Sequence, residues 1–375
     1  MKILLVVPEF PPNYVGGGGV VFENLAKTYK KLGNEVLVIT GDYVKKNIFQ
    51  KLKIQKENNI NILRIPEIFT PISLLNTVMP YPFWYNFSIK KIIKDYNPDF
   101  IHIHGYGLFM PAQVANLCKQ LHKNYIFTIH GAPVSPEKMK NKIISTAYNF
   151  YHKFYGFPML EQASKITAVS GFARDFSIFK KYKDKIKVIG NGINPEEYEN
   201  YEDGYFKQKG IRLNADTKII LSVGRIEWIK GFDKIIKLLP QMIEKGYNIK
   251  YCIAGKDNGE KLNLQKLAEK LGVSDRLVFL GFVSGKEKNS MFADADIVAI
   301  SSESESYGLV GLEARLFNKP IITTFVGGLK DALEGYKSAY TLNSWNKGFE
   351  NKNVENKNIE EFYYENIGKQ YLLLN

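Results

Sequence analysis

Four charged side chains in the second half of the chain could bind an anion or hold hydroxyl groups: Arg225, Lys230, Glu305 and Glu313. Arg225 follows an apolar run in a turn, and Lys230 precedes the next helical pattern. Two cations at the carboxyl end of a parallel strand can meet phosphate oxygens, arginine through its fork and lysine as a point charge. The alternative is a pair of solvated surface cations.

The two glutamates flank the start of a predicted helix. A short Ser/Glu loop follows an apolar run, and the helix begins near Tyr307 or Gly308. Backbone N–H groups at that start suit a diphosphate. Eight positions separate Glu305 from Glu313, which places one in the loop and the other on the second turn, where they could hold sugar and ribose hydroxyls. The alternative is two ordinary surface glutamates, one of them favoured by the helix dipole.

Four consecutive glycines, Gly16 to Gly19, follow the first predicted strand. Glycine lets the backbone approach a ligand closely or lets a loop move. The three prolines between strand and glycines do not fit a dinucleotide-binding turn, and a Walker lysine is missing, which disfavours a P-loop. A merely flexible loop is the alternative.

Three histidines end or lie within predicted strands. His102 and His104 share a face by the period of two, and we expect them to be packed strand residues rather than a metal pair, because no third ligand is at hand. His130, beside Gly131, stands where a strand gives way to a loop. Contact with substrate and a structural role are both open for it.

Short apolar runs alternate with helical patterns throughout, which predicts βαβ units and parallel sheets of the α/β class. The runs are apolar on both faces, as in strands covered by helices on both sides. The predicted strands span 3–7, 35–40, 100–104, 125–129, 165–169, 186–189, 218–223, 249–254, 277–280, 297–301 and 320–323. The predicted helices span 20–31, 82–95, 108–122, 138–155, 173–181, 232–245, 262–271, 285–292, 309–317 and 360–374.

The length of 375 residues and a restart of the pattern predict two domains. We place an N-terminal Rossmann-like domain at 1–190, on the acceptor side, and a C-terminal one that binds the nucleotide sugar at 191–343. A polar stretch at 190–210 is the expected hinge. Residues 344–357 are expected to be a loop, and the helix that ends the 344–375 segment is expected to pack back on the first domain.

The charge of +13 is unevenly divided. Residues 1–190 hold 26 Lys and Arg against 12 Asp and Glu, and residues 191–375 hold 25 against 26. A basic first half predicts an acidic partner such as anionic lipid, a phosphorylated substrate or nucleic acid. The aromatic and basic stretches 81–94 and 138–155 are typical of interfacial helices. Their apolar positions equally suit a core.

Two cysteines far apart exclude a disulfide framework and fit a cytoplasmic setting. The apolar start meets prolines and no small-residue cleavage site, so we interpret it as a buried strand and not a signal peptide. No run of about 18 apolar residues predicts a spanning helix.

Taken in order, the segments resemble the family-4 retaining glycosyltransferases of the GT-B fold, from residue 1 to about residue 331. That resemblance rests on the glycines after strand one, His130-Gly131, the 168–172 and 190–194 segments, Gly224-Arg225 with Lys230-Gly231, the two-glutamate motif and Val326-Gly327-Gly328. It implies two Rossmann-like, doubly wound domains facing across a cleft. Three features depart from the family pattern: Lys330-Asp331, an additional Glu303, and a shortened C-terminus.

The resemblance also implies roles for residues. Arg225 and Lys230 would bind the diphosphate, Glu313 the ribose, and Glu305 the donor sugar, while His130 would contact that sugar from the other domain. The catalytic set is then Arg225, Lys230, Glu305 and His130. The donor-binding set is Gly16, Gly17, Gly18, Gly224, Gly281, Phe282, Ser306, Tyr307, Gly308, Leu309, Val310 and Glu313.

The expected reaction moves a hexosyl unit from a UDP- or GDP-sugar to a glycan or lipid-linked acceptor, with retention of anomeric configuration. No cofactor is expected beyond that donor substrate, and no metal, because no Asp-x-Asp motif offers a metal site. The expected location is the cytoplasm, peripheral on an anionic inner membrane face. A nucleotide-sugar epimerase and a non-catalytic nucleotide-sugar-binding protein stay open as alternatives. Nucleic acid is not an expected partner, because no recognised nucleic-acid-binding motif interleaves aromatics and cations.

Overall fold

The computed structural model describes residues 1–12, 17–42, 51–67, 69–70, 77–78, 81–131, 142–350, 354, 356 and 358–375. These residues form two compact units. Unit 1 comprises Met1–Asn191 and Tyr364–Asn375, and unit 2 comprises Gly192–Tyr363.

Unit 1 is built on a mixed sheet of eight strands and a separate pair of short strands. Its strands are β1 (Lys2–Val7), β2 (Glu35–Asp42), β3 (Ile54–Glu57), β4 (Ile60–Pro66), the short β5 (Phe69–Thr70) and β6 (Thr77–Val78), β7 (Phe100–His104), β8 (Ile126–Ile129), β9 (Lys165–Ala168) and β10 (Ile186–Val188). The order in the large sheet is β10-β9-β8-β7-β1-β2-β4-β3. Every pair is parallel except β3 with β4, while β5 and β6 form a separate antiparallel pair.

Helices connect these strands, as parallel neighbours require. They are α1 (Gly17–Lys31), α2 (Tyr85–Tyr96), α3 (Phe109–Gln120), α4 (Lys142–Tyr151), α5 (Phe157–Gln162) and the single turn α6 (Gly171–Arg174). A π-helical turn (His152–Gly156) joins α4 to α5, and a 3-10 segment (Ser177–Lys185) leads into β10.

Unit 2 is a six-stranded parallel sheet. Its strands are β11 (Lys218–Val223), β12 (Ile249–Ala254), β13 (Leu277–Gly281), β14 (Ile297–Ile300), β15 (Ile321–Thr323) and β16 (Ala339–Thr341), in the order β13-β12-β11-β14-β15-β16. Its helices are α7 (Tyr205–Gln208), α8 (Phe232–Glu244), α9 (Lys261–Lys270), α10 (Gly285–Asp294), α11 (Leu309–Leu316), α12 (Leu329–Ala332) and α13 (Asn346–Glu350). Its 3-10 segments are Pro195–Tyr198, Trp228–Lys230, Ser274–Arg276, Leu342–Ser344 and Ile359–Phe362.

Alternate residues of the unit 2 strands enter two separate cores. Ile220 and Ile253 pack in one apolar cluster, and their neighbours Leu221 and Ala254 pack in the other. Because successive strand residues point to opposite faces, both faces of this sheet are covered. The α/β prediction is therefore confirmed by the packing of the strands.

The last helix, α14 (Tyr364–Leu372), belongs to unit 1 and packs on α1. A Cβ on Gly368 would lie 2.7 Å from Cγ2 of Thr28, so the two helices approach closely at that point. Tyr371 lies against His102, with ring centroids 4.5 Å apart.

Several local predictions differ from the structure. Instead of one helix at 173–181, the structure has the single turn α6 and then the 3-10 segment Ser177–Lys185. Ser170 Oγ accepts from Ala173 N at 3.0 Å and starts α6 early. Helix α1 begins at Gly17 and not at residue 20, so the described glycines form its first turn. Five strands were missed, namely β3, β4, β5, β6 and β16, and α13 lies where a loop was expected.

Candidate functional site

The predicted anion-binding and hydroxyl-binding residues of unit 2 follow the carboxyl ends of its strands. Arg225 and Lys230 follow β11, and Glu305 follows β14. These two strands are hydrogen-bonded neighbours. Parallel strands end at the same sheet edge, so loops that are 75 residues apart in sequence are brought side by side.

Lys230 and Glu305 form an ion pair, with 2.7 Å between Nζ and Oε2. Both side chains are about one-fifth exposed. Ser302 Oγ donates to the same carboxylate oxygen at 3.4 Å, and Ser301 Oγ donates to the Lys230 carbonyl at 3.2 Å. The β14 loop therefore holds both the backbone and the ammonium group of Lys230.

Arg225 lies in the same turn and is half exposed. Its Nη2 is 3.0 Å from Oε1 of Glu227, two residues on. Gly224 precedes it, and a Cβ there would rest on the Lys230 side chain at 3.5 Å. One guanidinium and one ammonium group thus stand at one strand end, each beside a carboxylate.

Helix α11 begins just beyond the Glu305 loop. Gly308 is its N-cap in the left-handed region (φ 98°), and the helix runs from Leu309, with Val310 in its first turn. The Glu305 carbonyl accepts from Gly328 N at 2.8 Å, which ties the loop to the segment before α12. Ser306 and Tyr307 lie between, and the Tyr307 side chain is buried. What this segment offers a ligand is therefore chiefly its backbone and the Glu305 carboxylate.

Glu313 lies on the second turn of α11 and is buried. Its Oε1 accepts from Tyr198 Oη at 2.8 Å and from Lys288 Nζ at 2.6 Å. The pattern in the sequence pointed to neither of these partners.

Of two further predicted donor-binding residues, Gly281 ends β13 and Phe282 follows it. The Gly281 carbonyl accepts from Gly255 N at 2.7 Å, so this strand end is fixed to the end of β12. The Phe282 side chain is 75% exposed. An aromatic ring left in solvent at a strand end can stack on a planar ligand.

The remaining predicted residues lie in unit 1. Gly17 and Gly18 open helix α1, and a Cβ on Gly18 would lie 2.8 Å from Oε1 of Glu9. Gly16 lies outside the described residues.

His130 follows β8, and its Nε2 is 2.7 Å from Nδ1 of His104. The Phe22 ring meets His130 edge-on, with centroids 5.0 Å apart. Burial lowers the pKa of His130 to about 4, so this imidazole is neutral near pH 7.

His102 and His104 are buried. His102 Nδ1 lies 2.8 Å from Tyr29 Oη, and its Nε2 lies 2.6 Å from Thr128 Oγ1. Hydroxyl partners on both ring nitrogens suit a packed strand residue and leave no nitrogen for a metal. The described part of the chain holds no group of three His, Cys, Asp or Glu residues arranged to bind a metal ion.

The structure also adds residues that sequence patterns did not reveal. Lys234 on α8 pairs with Glu303 at 2.9 Å, which gives that additional glutamate a partner on the Lys230 side. Trp228, in the turn between Arg225 and Lys230, is 69% exposed. A tryptophan between two predicted phosphate-binding cations was a usable signal in the sequence.

Among the described residues, no helix is long and apolar enough to cross a membrane.

Two family models match the chain. "Glycosyltransferase Family 4" matches residues 15–197, and "Glycosyl transferases group 1" matches residues 205–347. An uncharacterised glycosyltransferase of Methanocaldococcus jannaschii is 30% identical over 345 residues, covering 89% of this chain and 83% of that protein. The N-acetyl-alpha-D-glucosaminyl L-malate synthase of Bacillus anthracis is 25% identical over 357 residues, covering 91% and 83%.

Solved structures share the fold over the whole chain. Anabaena HepE, in complex with UDP and glucose, matches with a TM-score of 0.69 at 18% identity, covering 100% of this chain and 98% of that one. A sucrose-phosphate synthase from Thermosynechococcus elongatus matches with a TM-score of 0.70 at 18% identity and the same coverage. The fold is that of the GT-B glycosyltransferases, as the sequence predicted. The family models, the archaeal relative and the fold agree, and the chain belongs to the family-4, group 1 glycosyltransferases.

Proposed function

We propose that this glycosyltransferase moves a hexosyl unit from a UDP- or GDP-sugar to a glycan or lipid-linked acceptor, with retention of anomeric configuration. The observation that carries the proposal is the Lys230–Glu305 pair beside Arg225 at the end of β11, next to the start of α11. The family assignment and the UDP named with the Anabaena structure support the donor class.

Charge development explains the proposed roles. Breaking the anomeric C–O bond leaves both electrons on the diphosphate, so negative charge grows there. Arg225, Lys230 and backbone N–H groups at the α11 start stabilise it, each contributing on the order of 2–4 kcal/mol when well aligned. Glu305 accepts hydrogen bonds from sugar hydroxyls and Glu313 from ribose hydroxyls. His130, whose imidazole is neutral near pH 7, contributes a hydrogen bond to the sugar and no charge.

Retention follows from a same-face attack assisted by the departing phosphate. A double displacement would need a carboxylate nucleophile at the anomeric carbon. On this proposal Glu305 holds the sugar hydroxyls and does not attack. The anomeric coupling constant of the product, read by NMR, tests whether the configuration is retained, and an inverted product refutes retention.

The first experiment is a panel of UDP-, GDP- and ADP-sugars, with unfolding temperature as the readout, because a ligand that binds the native state raises its stability. The donor that stabilises most is then incubated with acceptors while release of the nucleoside diphosphate is followed. The acceptors comprise a glycan, a lipid-linked sugar, malate and inositol 3-phosphate. The last two are named by relatives in Bacillus anthracis and Corynebacterium urealyticum.

Three outcomes separate the alternatives. Release that depends on an acceptor supports transfer. Conversion of the donor without an acceptor supports the epimerase. Binding without release for any acceptor supports the non-catalytic binding protein.

Lys230→Met is the test variant, and Lys237→Met is its matched control. Lys237 lies on α8 and, among the contacts that the structure describes, pairs only with the partly exposed Asp233.

The proposed acceptor side includes an anionic membrane surface, and unit 1 has a face suited to it. Four of the aromatic side chains there are exposed, while Tyr85 and Tyr151 are buried. Phe83, just before α2, and Phe87 on it are exposed by 77% and 79%, and Phe150 and Phe154 on α4 and the π turn by more than half. Residues 82–94 and 145–158 contain four lysines and no acidic residue. Aromatic rings and lysines of this kind bind the headgroup region of anionic bilayers.

Vesicle flotation tests that surface. Phe87→Ser with Phe150→Ser should lose most binding to vesicles that contain phosphatidylglycerol. Leu262→Ser, on an exposed position of α9 in unit 2, is the control and should bind as the wild type does. Equal binding of wild type to neutral and anionic vesicles, or no binding to either, refutes the membrane partner.

A further inference from the structure

The carboxylate of Glu313 is held by two side chains that no motif includes. Tyr198 and Lys288 both donate to Oε1, at 2.8 and 2.6 Å. The Lys288 ammonium also lies 5.3 Å from the centroid of the Tyr198 ring. Each of the three side chains therefore touches the other two.

The three residues come from separate elements that are themselves fixed together. Tyr198 ends the 3-10 segment Pro195–Tyr198, and Lys288 lies on α10. The next residue on α10, Asn289, is buried and donates from Nδ2 to the Glu197 carbonyl at 2.8 Å. This bond holds α10 against the segment that carries Tyr198. The backbone positions of both donors, Tyr198 and Lys288, are therefore fixed relative to each other.

We propose that Lys288 and Tyr198 are positioning residues of the nucleotide site. They fix Glu313 through Oε1, so that Oε2 accepts from the ribose hydroxyls of the bound nucleoside diphosphate. The inference rests on the proposed function, in which Glu313 holds the ribose.

Lys288 has a second effect through its charge. A carboxylate close to a diphosphate repels it, and a partly buried pair of like charges is poorly screened by salt. The Glu313 side chain is only 10% exposed and Lys288 is 24% exposed. The ammonium group compensates the charge of the carboxylate, so Glu313 can accept hydrogen bonds from the ribose hydroxyls without weakening diphosphate binding.

Two kinds of change separate these effects. Lys288→Met removes the charge and one hydrogen bond while keeping the aliphatic stem. Hydrogen bonds to charged groups are among the stronger ones, so we expect the Kd of the nucleoside diphosphate to rise about tenfold or more. Tyr198→Phe removes one hydrogen bond and keeps the ring, and we expect a rise of about threefold.

Matched controls exist for both variants. Lys286 lies on the same helix and pairs with exposed Glu202, away from Glu313. Tyr201 lies three residues after Tyr198, and its half-exposed ring contacts Phe317. Lys286→Met and Tyr201→Phe should leave the Kd within about twofold of wild type, the scatter expected of changes away from the site.

The experiment is titration calorimetry with UDP, GDP and ADP, followed by the 2′-deoxy form of whichever binds most tightly. In wild type the deoxy form should bind about tenfold more weakly, as expected when an acceptor for a hydroxyl is left unpaired. In Lys288→Met that ratio should fall toward one, because a mobile carboxylate no longer discriminates. A purely structural loss would weaken both nucleotides equally and leave the ratio unchanged.

The outcomes are distinguishable. If wild type binds none of the three nucleotides, the proposed function fails and this inference with it. If wild type binds and discriminates, but Lys288→Met does so equally well, only the inference fails. Lys288→Arg, which keeps the charge, should recover most of the discrimination. It and Tyr198→Phe keep the test decisive if Lys288→Met does not fold, as circular dichroism would show.

Discussion

Gly231 separates Lys230 from helix α8 and touches the end of β14. Its φ is 61°, in the left-handed region, where it both ends the Trp228–Lys230 segment and caps α8. A Cβ built on it would lie 2.2 Å from the Ser301 carbonyl oxygen. This is a clash with backbone, which cannot rotate away as a flexible side chain would.

The cost of Gly231→Ala has two parts. The left-handed conformation costs about 1–2 kcal/mol for a residue with a Cβ. Forcing extra volume into a packed region typically costs about 1–3 kcal/mol more. For a domain of roughly 150–250 residues, 1 kcal/mol lowers the unfolding temperature by about 2–4 °C. We therefore expect unit 2 to melt about 5–15 °C lower, with Lys230 displaced from Glu305.

Gly246→Ala is the control, because Gly246 is also left-handed (φ 86°) but a Cβ there would meet nothing within 4 Å. It should cost only the conformational part, about 1–2 kcal/mol. Differential scanning calorimetry and titration with UDP or GDP compare the two variants. Equal melting shifts, or a Gly231→Ala protein with unchanged nucleotide affinity, would refute the view that close contact between these loops builds the site.

Three other predictions follow from single contacts. Glu305→Gln keeps the shape but removes the charge. Release of nucleoside diphosphate should slow on the order of a hundredfold. The free energy of unfolding in denaturant should fall by about 1–3 kcal/mol, because the change leaves the mostly buried Lys230 ammonium without its charged partner; an unchanged rate of release would contradict the assignment. Burial, and then the charge of Asp42, raise the pKa of Glu67 from 4.5 to about 8. The folded state therefore holds that proton more tightly, and stability should fall as pH rises from 4.5 to 8, by up to about 1.4 kcal/mol per unit. Urea melts of Glu67→Gln should be flatter over that range, and an unchanged slope would count against the assignment. Burial lowers the pKa of His130 from 6.5 to about 4, so the folded state favours the neutral ring and stability should be lost as pH falls from 6.5 towards 4. His130→Asn should lose less stability than wild type over that interval in the same melts.

The sequence was sufficient for most strands because their burial leaves a continuous apolar run. Predictions for β7, β11 and β12 had the observed bounds. Strand β4 was missed because Arg64 interrupts it. The structure buries that arginine, which donates to the Phe10 and Pro11 carbonyls and pairs with Glu57 at 2.8 Å. A charged residue in a short apolar run is predicted to be exposed unless its distant hydrogen-bond and ion-pair partners are known.

The same limit applies to the site. Residues at strand ends could be predicted, because the carboxyl edge of a parallel sheet is a property of the local pattern. Tyr198 and Lys288 could not, because they reach Glu313 from 115 and 25 positions away, and a local period carries no information on contacts between separate elements. Only the packing of α10 against the Pro195–Tyr198 segment brings them there.

The ion pairs of unit 2 explain why the second half of the chain has nearly balanced charge. Its site cations are each held by a carboxylate: Arg225 by Glu227, Lys230 by Glu305, Lys234 by Glu303 and Lys288 by Glu313. On the proposed function, this nearly neutral half still binds an anion through its paired cations. On the proposed function, a bare diphosphate would bind the cations, but the neighbouring carboxylates would repel it and would have no hydroxyl groups to accept from. A nucleotide sugar offers phosphate to the cations and hydroxyls to the carboxylates, so pairing itself favours the complete donor over its fragments.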